Sequence, residues 1–191
     1  MTKTTTIKND NQDSVTTLQR FLTSLLELEE IEAILVPQHQ QTEGVVMPSL
    51  ISDPKVLEAA DPLAPVFPLN AAKLVSRLTR KPASGTIAVV LRPCEIRAFT
   101  ELIKLKQGSR ENLVIVGYDC PGAFTREDYG AFAKEEGLEA TRRFLSSGVL
   151  QGQAPKDGPA LAPACQICEQ PTPAHADLTI GLFGGEVTVQ A

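Results

Sequence analysis

The chain has 191 residues, of which 42% are hydrophobic and 21% charged. That length suits one domain of generous size, or one domain with a tail, and the apolar share argues against global disorder. With 18 Lys and Arg against 23 Asp and Glu, the net charge is −5; no basic face is implied, which argues against nucleic acid and anionic membrane surfaces as partners. No apolar run approaches the roughly 20 residues of a membrane span. The polar N-terminus lacks the apolar stretch of a signal peptide. A cytoplasmic location is therefore expected, where the four cysteines stay reduced and metal or redox chemistry gains weight over disulfides.

Residues 1–13 are rich in Thr, Asn, Asp and Lys and read as a flexible leader. Ser14 is placed to cap a helix in which Val15, Leu18, Leu22, Leu25 and Leu26 form one apolar face. Residues 33–36 and 45–47, each ended by a proline, read as two strands of a hairpin whose polar loop contains His39. Asp53-Pro54 starts a short helix, and Asp61-Pro62 stops it. Pro62, Pro65 and Pro68 impose an extended connector. Asn70 is placed to cap a helix through Arg80, and Ser84-Gly85 reads as a turn.

Residues 87–91 form a continuous apolar strand of the kind buried on both faces, broken by Pro93. A helical pattern follows through Ile96, Phe99 and Ile103, ended by Gly108. Residues 113–116 form a second such strand. Strand, helix and strand in about 30 residues is a βαβ unit, which makes the two strands parallel neighbours. Residues 128–145 are helical with a break at Gly137, residues 148–163 are loop, and residues 178–182 are the last strand expected. The whole reads as an α/β fold: a mostly parallel sheet flanked by helices, with an irregular Cys-rich C-terminal loop segment.

The cysteines are Cys94, Cys120, Cys165 and Cys168. Cys94 and Cys120 each follow one of the two parallel strands, so both thiols emerge on the same carboxyl rim, where ligands of open α/β sheets bind. Cys94 also sits near a helix N-terminus, whose partial positive charge favours thiolate. Cys165 and Cys168 form a C-x-x-C among the prolines at 163, 171 and 173, so one turn aims two sulfurs at one centre. Four thiolates suit an iron–sulfur cluster or a tetrahedral zinc. Structural zinc more often shows two C-x-x-C pairs, and a cycling dithiol normally opens a helix free of flanking prolines. Ordinary buried cysteines after strands remain the bland alternative.

Val89-Val90-Leu91-Arg92-Pro93-Cys94-Glu95-Ile96-Arg97-Ala98 resembles the strand–PCQIRAL–helix motif of the beta subunits of deazaflavin (coenzyme F420) hydrogenases and related formate dehydrogenases. Cys120-Pro121-Gly122 is similar to that family's second cysteine. Cys165-Gln166-Ile167-Cys168, followed by Ala176-Asp177-Leu178-Thr179-Ile180-Gly181, resembles its CxxC and the strand downstream. The resemblance covers about residues 30–185. It implies a 4Fe-4S cluster on Cys94, Cys120, Cys165 and Cys168, beside a flavin that is usually FAD. It also implies electron relay between a flavin or deazaflavin hydride carrier and the other subunits of a redox complex, with residues 14–191 as a single iron–sulfur domain. The chain departs from the family in three ways. The early Gly-Gly-hydroxyl stretch near the flavin is not visible, so no flavin-binding or catalytic residues are carried over. Glu95 stands where a Gln is common. The chain stops at Ala191, where family members continue, and is expected to be a short or truncated form.

The other readings are a zinc- or thiol-containing scaffold without catalysis, and an enzyme in its own right with FAD bound. Arg92 and Arg97, flanking Cys94, read either as solvated charges or as groups that offset cluster or phosphate charge. His175 is a possible fourth ligand in a Cys3His site, though loop histidines are usually solvated. His39 reads as bland, and Asp177 as a residue that ends the loop before the last strand.

Overall fold

The structure, a computed structural model, describes all residues except 1, 2, 8–12, 41–44, 82–84, 135, 157 and 185. The elements are β1 (Thr4–Ile7), α1 (Ser14–Leu26), β2 (Ile31–His39), β3 (Val46–Ile51), a 3-10 helix (Pro54–Ala59), α2 (Ala72–Leu78), β4 (Thr86–Leu91), α3 (Pro93–Lys104), β5 (Leu113–Tyr118), α4 (Arg126–Ala133), α5 (Leu138–Ser146), a second 3-10 helix (Val149–Gln151), α6 (Pro163–Gln166), β6 (Leu178–Gly181) and β7 (Val187–Gln190). The strands form one sheet in the order β1-β7-β6-β5-β4-β2-β3. At its centre β2, β4, β5 and β6 run parallel, and β3, β7 and β1 join antiparallel at the edges. The expected α/β class and the parallel pairing of the two apolar strands are what the chain adopts.

Alternation along β4 assigns the two faces. Val89 and Leu91 pack with Val75 of α2 and with Ile96 and Phe99 of α3. Ala88 and Val90 pack on the other face with Leu18 and Leu22 of α1, Phe132 of α4 and Phe144 of α5. A strand covered on both sides has no polar face to show, which is why residues 87–91 are apolar without a break. Phe99 is fully buried and fills the layer between α3 and the sheet. Phe99→Ala is expected to lower stability by about 3–5 kcal/mol, read as a lower urea midpoint at an unchanged slope.

Several boundaries differ from those expected, each for a physical reason. Residues 4–7, expected within a flexible leader, form β1 and pair with β7, Thr5 opposite Val189. The cap of α1 is Asp13, whose carboxylate accepts from the Thr16 N–H at 3.1 Å; Ser14 is already helical. Strands β2 and β3 run on through their prolines, Pro37 opposite Pro48. Pro48 lies on an edge strand, and Pro37 lies past the last β2–β4 pair, Leu35 with Val89, so neither missing N–H breaks a ladder. The helix after Asp53 is 3-10 rather than α. Asn70 accepts from the Ala72 N–H at 3.0 Å, as expected of a cap, but α2 ends at Leu78. Helix α3 closes at Leu105–Lys106, with Lys106 at φ 58°, before Gly108 is reached. Gly137, at φ 55°, separates α4 from α5 in a conformation that side chains disfavour. Beyond β6 lies a further strand, β7. The turn expected at Ser84-Gly85 falls partly outside the described residues, as does the loop at 38–44.

Candidate metal centre at the carboxyl edge of the sheet

Cys94 occupies the first turn of α3, and Cys120 follows β5 by two residues. Leu91 pairs with Gly117, so the two strand ends are adjacent and both cysteines lie on the carboxyl rim. The C-terminal loop returns to this corner through backbone bonds. The Cys120 N–H donates to Pro171 O at 2.8 Å, and the Ala162 N–H donates to Ala123 O at 2.8 Å. Pro173 and Ala176 close over Gly117, where a Cβ would meet them at 2.6 and 3.0 Å. Asp119, buried beside Cys120, accepts from the Leu182 N–H at 2.9 Å and so anchors the end of β6 to the same loop. Cys165 lies in the one-turn α6, and the Cys168 N–H donates to Cys165 O at 3.3 Å. All four cysteines are free thiols; Cys94 and Cys168 are exposed, while Cys120 and Cys165 are half-buried.

The three segments carrying the thiols thus meet at one corner. Among the described residues, no three His, Cys, Asp or Glu side chains converge at metal-binding distance; the sulfurs are gathered without meeting at a point. His175 is exposed, at φ 64°. Asp177 plays a structural role, accepting from the Ile115 N–H at 2.8 Å and pairing with Arg110 at 2.8 Å.

Electrostatics at the corner runs against the expectation for Cys94. Burial around it and the adjacent Glu95 carboxylate push the Cys94 thiol up to about 11, with the Arg92 guanidinium pulling the other way and Cys120 and Cys165 adding to the rise. Burial also raises Cys120, opposed by Arg92 and by a hydrogen bond from the Gly122 backbone, while Cys165 adds to the rise. The helix N-terminus alone does not hold Cys94 as thiolate, so loading this corner with a metal must expel protons.

Two buried charges shape the corner. Glu95 accepts from the Ala71 N–H at 2.8 Å and from the Arg92 N–H at 3.0 Å, capping α3 and joining it to the start of α2 with both carboxylate oxygens. A glutamine here would present an amide donor to one of those N–H groups. Arg92 is not a solvated charge: its Nη2 donates to Ala64 O and Val66 O, both at 2.6 Å. Its guanidinium lies 5.3 Å from the centroid of Phe67. Arg97 is exposed, 3.5 Å from Gln170 O. A small cavity of about 20 Å³, apolar apart from Arg92 and Glu95, lies between this corner and Pro37, Val46 and Pro68.

A second polar cluster sits where β2 ends. Asp61, fully buried, holds His39 Nε2 at 2.9 Å and accepts from Thr141 Oγ1 at 2.5 Å on the same oxygen. The Asp61 N–H donates to Pro37 O at 2.8 Å. Asp61 Oδ1 and the hydroxyl of buried Tyr129 have no hydrogen-bond partner among the described residues. Sequence reasoning placed His39 in a polar loop and used Asp61 only to end a helix. The signal available was an acid next to a proline in an otherwise apolar connector.

The family model for the C terminus of the coenzyme F420 hydrogenase/dehydrogenase beta subunit matches residues 84–190 of the chain. The chain belongs to that family. The matched span holds all four cysteines, both strands of the βαβ unit and the returning loop. The beta subunit of an F420-dependent formate dehydrogenase from Methanocaldococcus jannaschii is 24% identical over 190 residues, covering 91% of this chain and 48% of the relative. The chain thus spans about half the length of the curated relative it matches. A chain of the xenon-derivatised F420-reducing nickel–iron hydrogenase complex from Methanosarcina barkeri aligns with TM-score 0.61 at 12% identity. That match covers 98% of this chain and 72% of the other, and it shows the fold alone. Among the described residues, no helix is long and apolar enough to cross a membrane.

Proposed function

We propose that this chain is the cluster-bearing part of an oxidoreductase subunit. In this reading Cys94, Cys120, Cys165 and Cys168 hold a 4Fe-4S cluster that relays electrons between a flavin or deazaflavin hydride carrier and partner subunits. The complex would be hydrogenase-like or formate-dehydrogenase-like. The observation that carries the reading is that the C-terminal loop is bonded to the residue bearing the second cysteine, through Cys120 N–H and Pro171 O. That bond ties the loop three residues past the C-x-x-C to the segment bearing Cys120. By number and type, four soft donors from three backbone segments are the donor set of a cubane; the fit rests on that chemistry, since among the described residues the sulfurs do not converge at metal-binding distance. When bound, such a cluster stores and releases single electrons. The chain's own residues do the rest. Pro93 and Glu95 fix the turn that carries Cys94. Asp119 fixes the loop that carries Cys120. Hydride chemistry in this reading belongs to FAD or a deazaflavin, to which no residue of this chain is assigned.

The test is anaerobic purification followed by iron, sulfide, zinc and flavin analysis of one sample. The expected result is about four irons and four sulfides per chain, with absorbance bleached by dithionite. Zinc without sulfide would establish the scaffold reading instead. Flavin together with the cluster would extend the role from relay to hydride exchange.

A further inference from the structure

We propose that Arg92 is the fixed counter-ion of the thiol corner, and that its charge sets how readily a cluster bound there accepts an electron. The inference rests on the cluster reading above. Three observations carry it.

The first is burial. A guanidinium beside an open rim has water within reach, and burying it is costly. Arg92 is nevertheless only 6% exposed and is turned inward onto Ala64 O, Val66 O and the face of Phe67. The second is the nature of those partners. Two carbonyls and an aromatic ring hold a cation without cancelling its charge. The one carboxylate near it, Glu95, spends both oxygens on the N–H groups of Ala71 and Arg92. Among the described residues, no ion pair closes on the guanidinium. The third is position. Arg92 stands two residues before Cys94. The pairing of Leu91 with Gly117 sets it beside Tyr118, two residues before Cys120. One buried cation therefore stands at the adjoining ends of the two strands that each lead, two residues on, to a thiol. One-electron reduction of a cluster adds one negative charge at this corner, and a fixed cation lowers the cost of adding it.

Arg92 is thus a positioning residue, and the readout is the reduction potential rather than activity. The reconstituted chain is titrated with dithionite under argon and followed by electron paramagnetic resonance. At a fixed solution potential, Arg92→Met is expected to lower the ratio of reduced to oxidised cluster about tenfold, or about 59 mV for one electron. Arg92→Lys, which keeps the charge and loses the planar fork, is expected to stay near the wild-type curve. Arg92→Met that loads its cluster and titrates like wild type would overturn the proposal and leave the cluster reading standing. Should Arg92→Met fail to fold, Arg92→Gln decides. Its amide still donates to the carbonyls of Ala64 or Val66 without carrying the charge, so the potential should fall as for Met; an unchanged potential would overturn the proposal. A wild-type chain that takes up no iron and sulfide overturns the cluster reading itself, and this inference with it.

Discussion

If the four thiols hold a cluster, Cys120→Ser is expected to abolish its uptake while the chain stays folded. The backbone of residue 120 does structural work, since its N–H holds Pro171 O at 2.8 Å. The half-buried side chain contributes a sulfur. Serine keeps the first and removes the second, so the loop remains docked over the rim. Hydroxyl oxygen is a poor replacement for thiolate on iron. Bound iron is therefore expected to fall from about four per chain to below about one after identical reconstitution. The circular dichroism spectrum and urea midpoint of the metal-free protein should match wild type. Full iron and sulfide in the purified variant would remove Cys120 from the ligand set. A collapsed midpoint would instead mean that its side chain holds the loop.

Asp61→Ala is expected to be the most destabilising exchange outside the apolar core. The carboxylate is fully buried and ties the end of β2, through His39, to α5, through Thr141. Removing it leaves a buried hydroxyl and an imidazole nitrogen without their acceptor. Loss of one partner from such a buried network costs about 3–5 kcal/mol. For a chain of this size that lowers the thermal midpoint by about 10 °C. His39→Ala should cost less, because that side chain is 19% exposed and water replaces part of what is lost. A melt of Asp61→Ala that overlays wild type would show that the knot contributes nothing to stability.

How much of this was legible in the sequence depended on the range of the interaction. The βαβ unit was plain, because residues buried on both faces are apolar without interruption and Pro93 marks the strand-to-helix junction. That unit alone put Cys94 and Cys120 on one rim. Residues 4–7 were not legible as a strand. Thr-Thr-Thr-Ile carries no apolar alternation, and it becomes β1 only because β7, at the far end of the chain, offers a ladder. Arg92 stayed open between a solvated charge and a charge-offsetting group, because no local pattern distinguishes a solvated arginine from one whose acceptors, Ala64 O and Val66 O, lie nearly thirty residues upstream. His39 and Asp61 were illegible for the same reason, as partners 22 residues apart with β3 and the first 3-10 helix between them. Cys94 was misjudged electrostatically: the helix N-terminus was visible in the sequence, whereas desolvation by the returning loop and neighbouring side chains was not.

The way the C-terminal loop returns to the rim implies an order of assembly. Cys94 and Cys120 come from one βαβ unit whose strands are close in sequence, a pairing that costs little loop-closure entropy. Cys165 and Cys168 reach the same corner only after the chain has passed through α4 and α5 on the opposite face and come back to bond with Ala123 and Cys120. Those contacts span long sequence separations and are completed only when β6 joins β5, so they form after the βαβ unit. In the cluster reading, the donors on the strand ends are in place before those on the loop. Loading of such a centre would then be a step separable from folding of the βαβ unit.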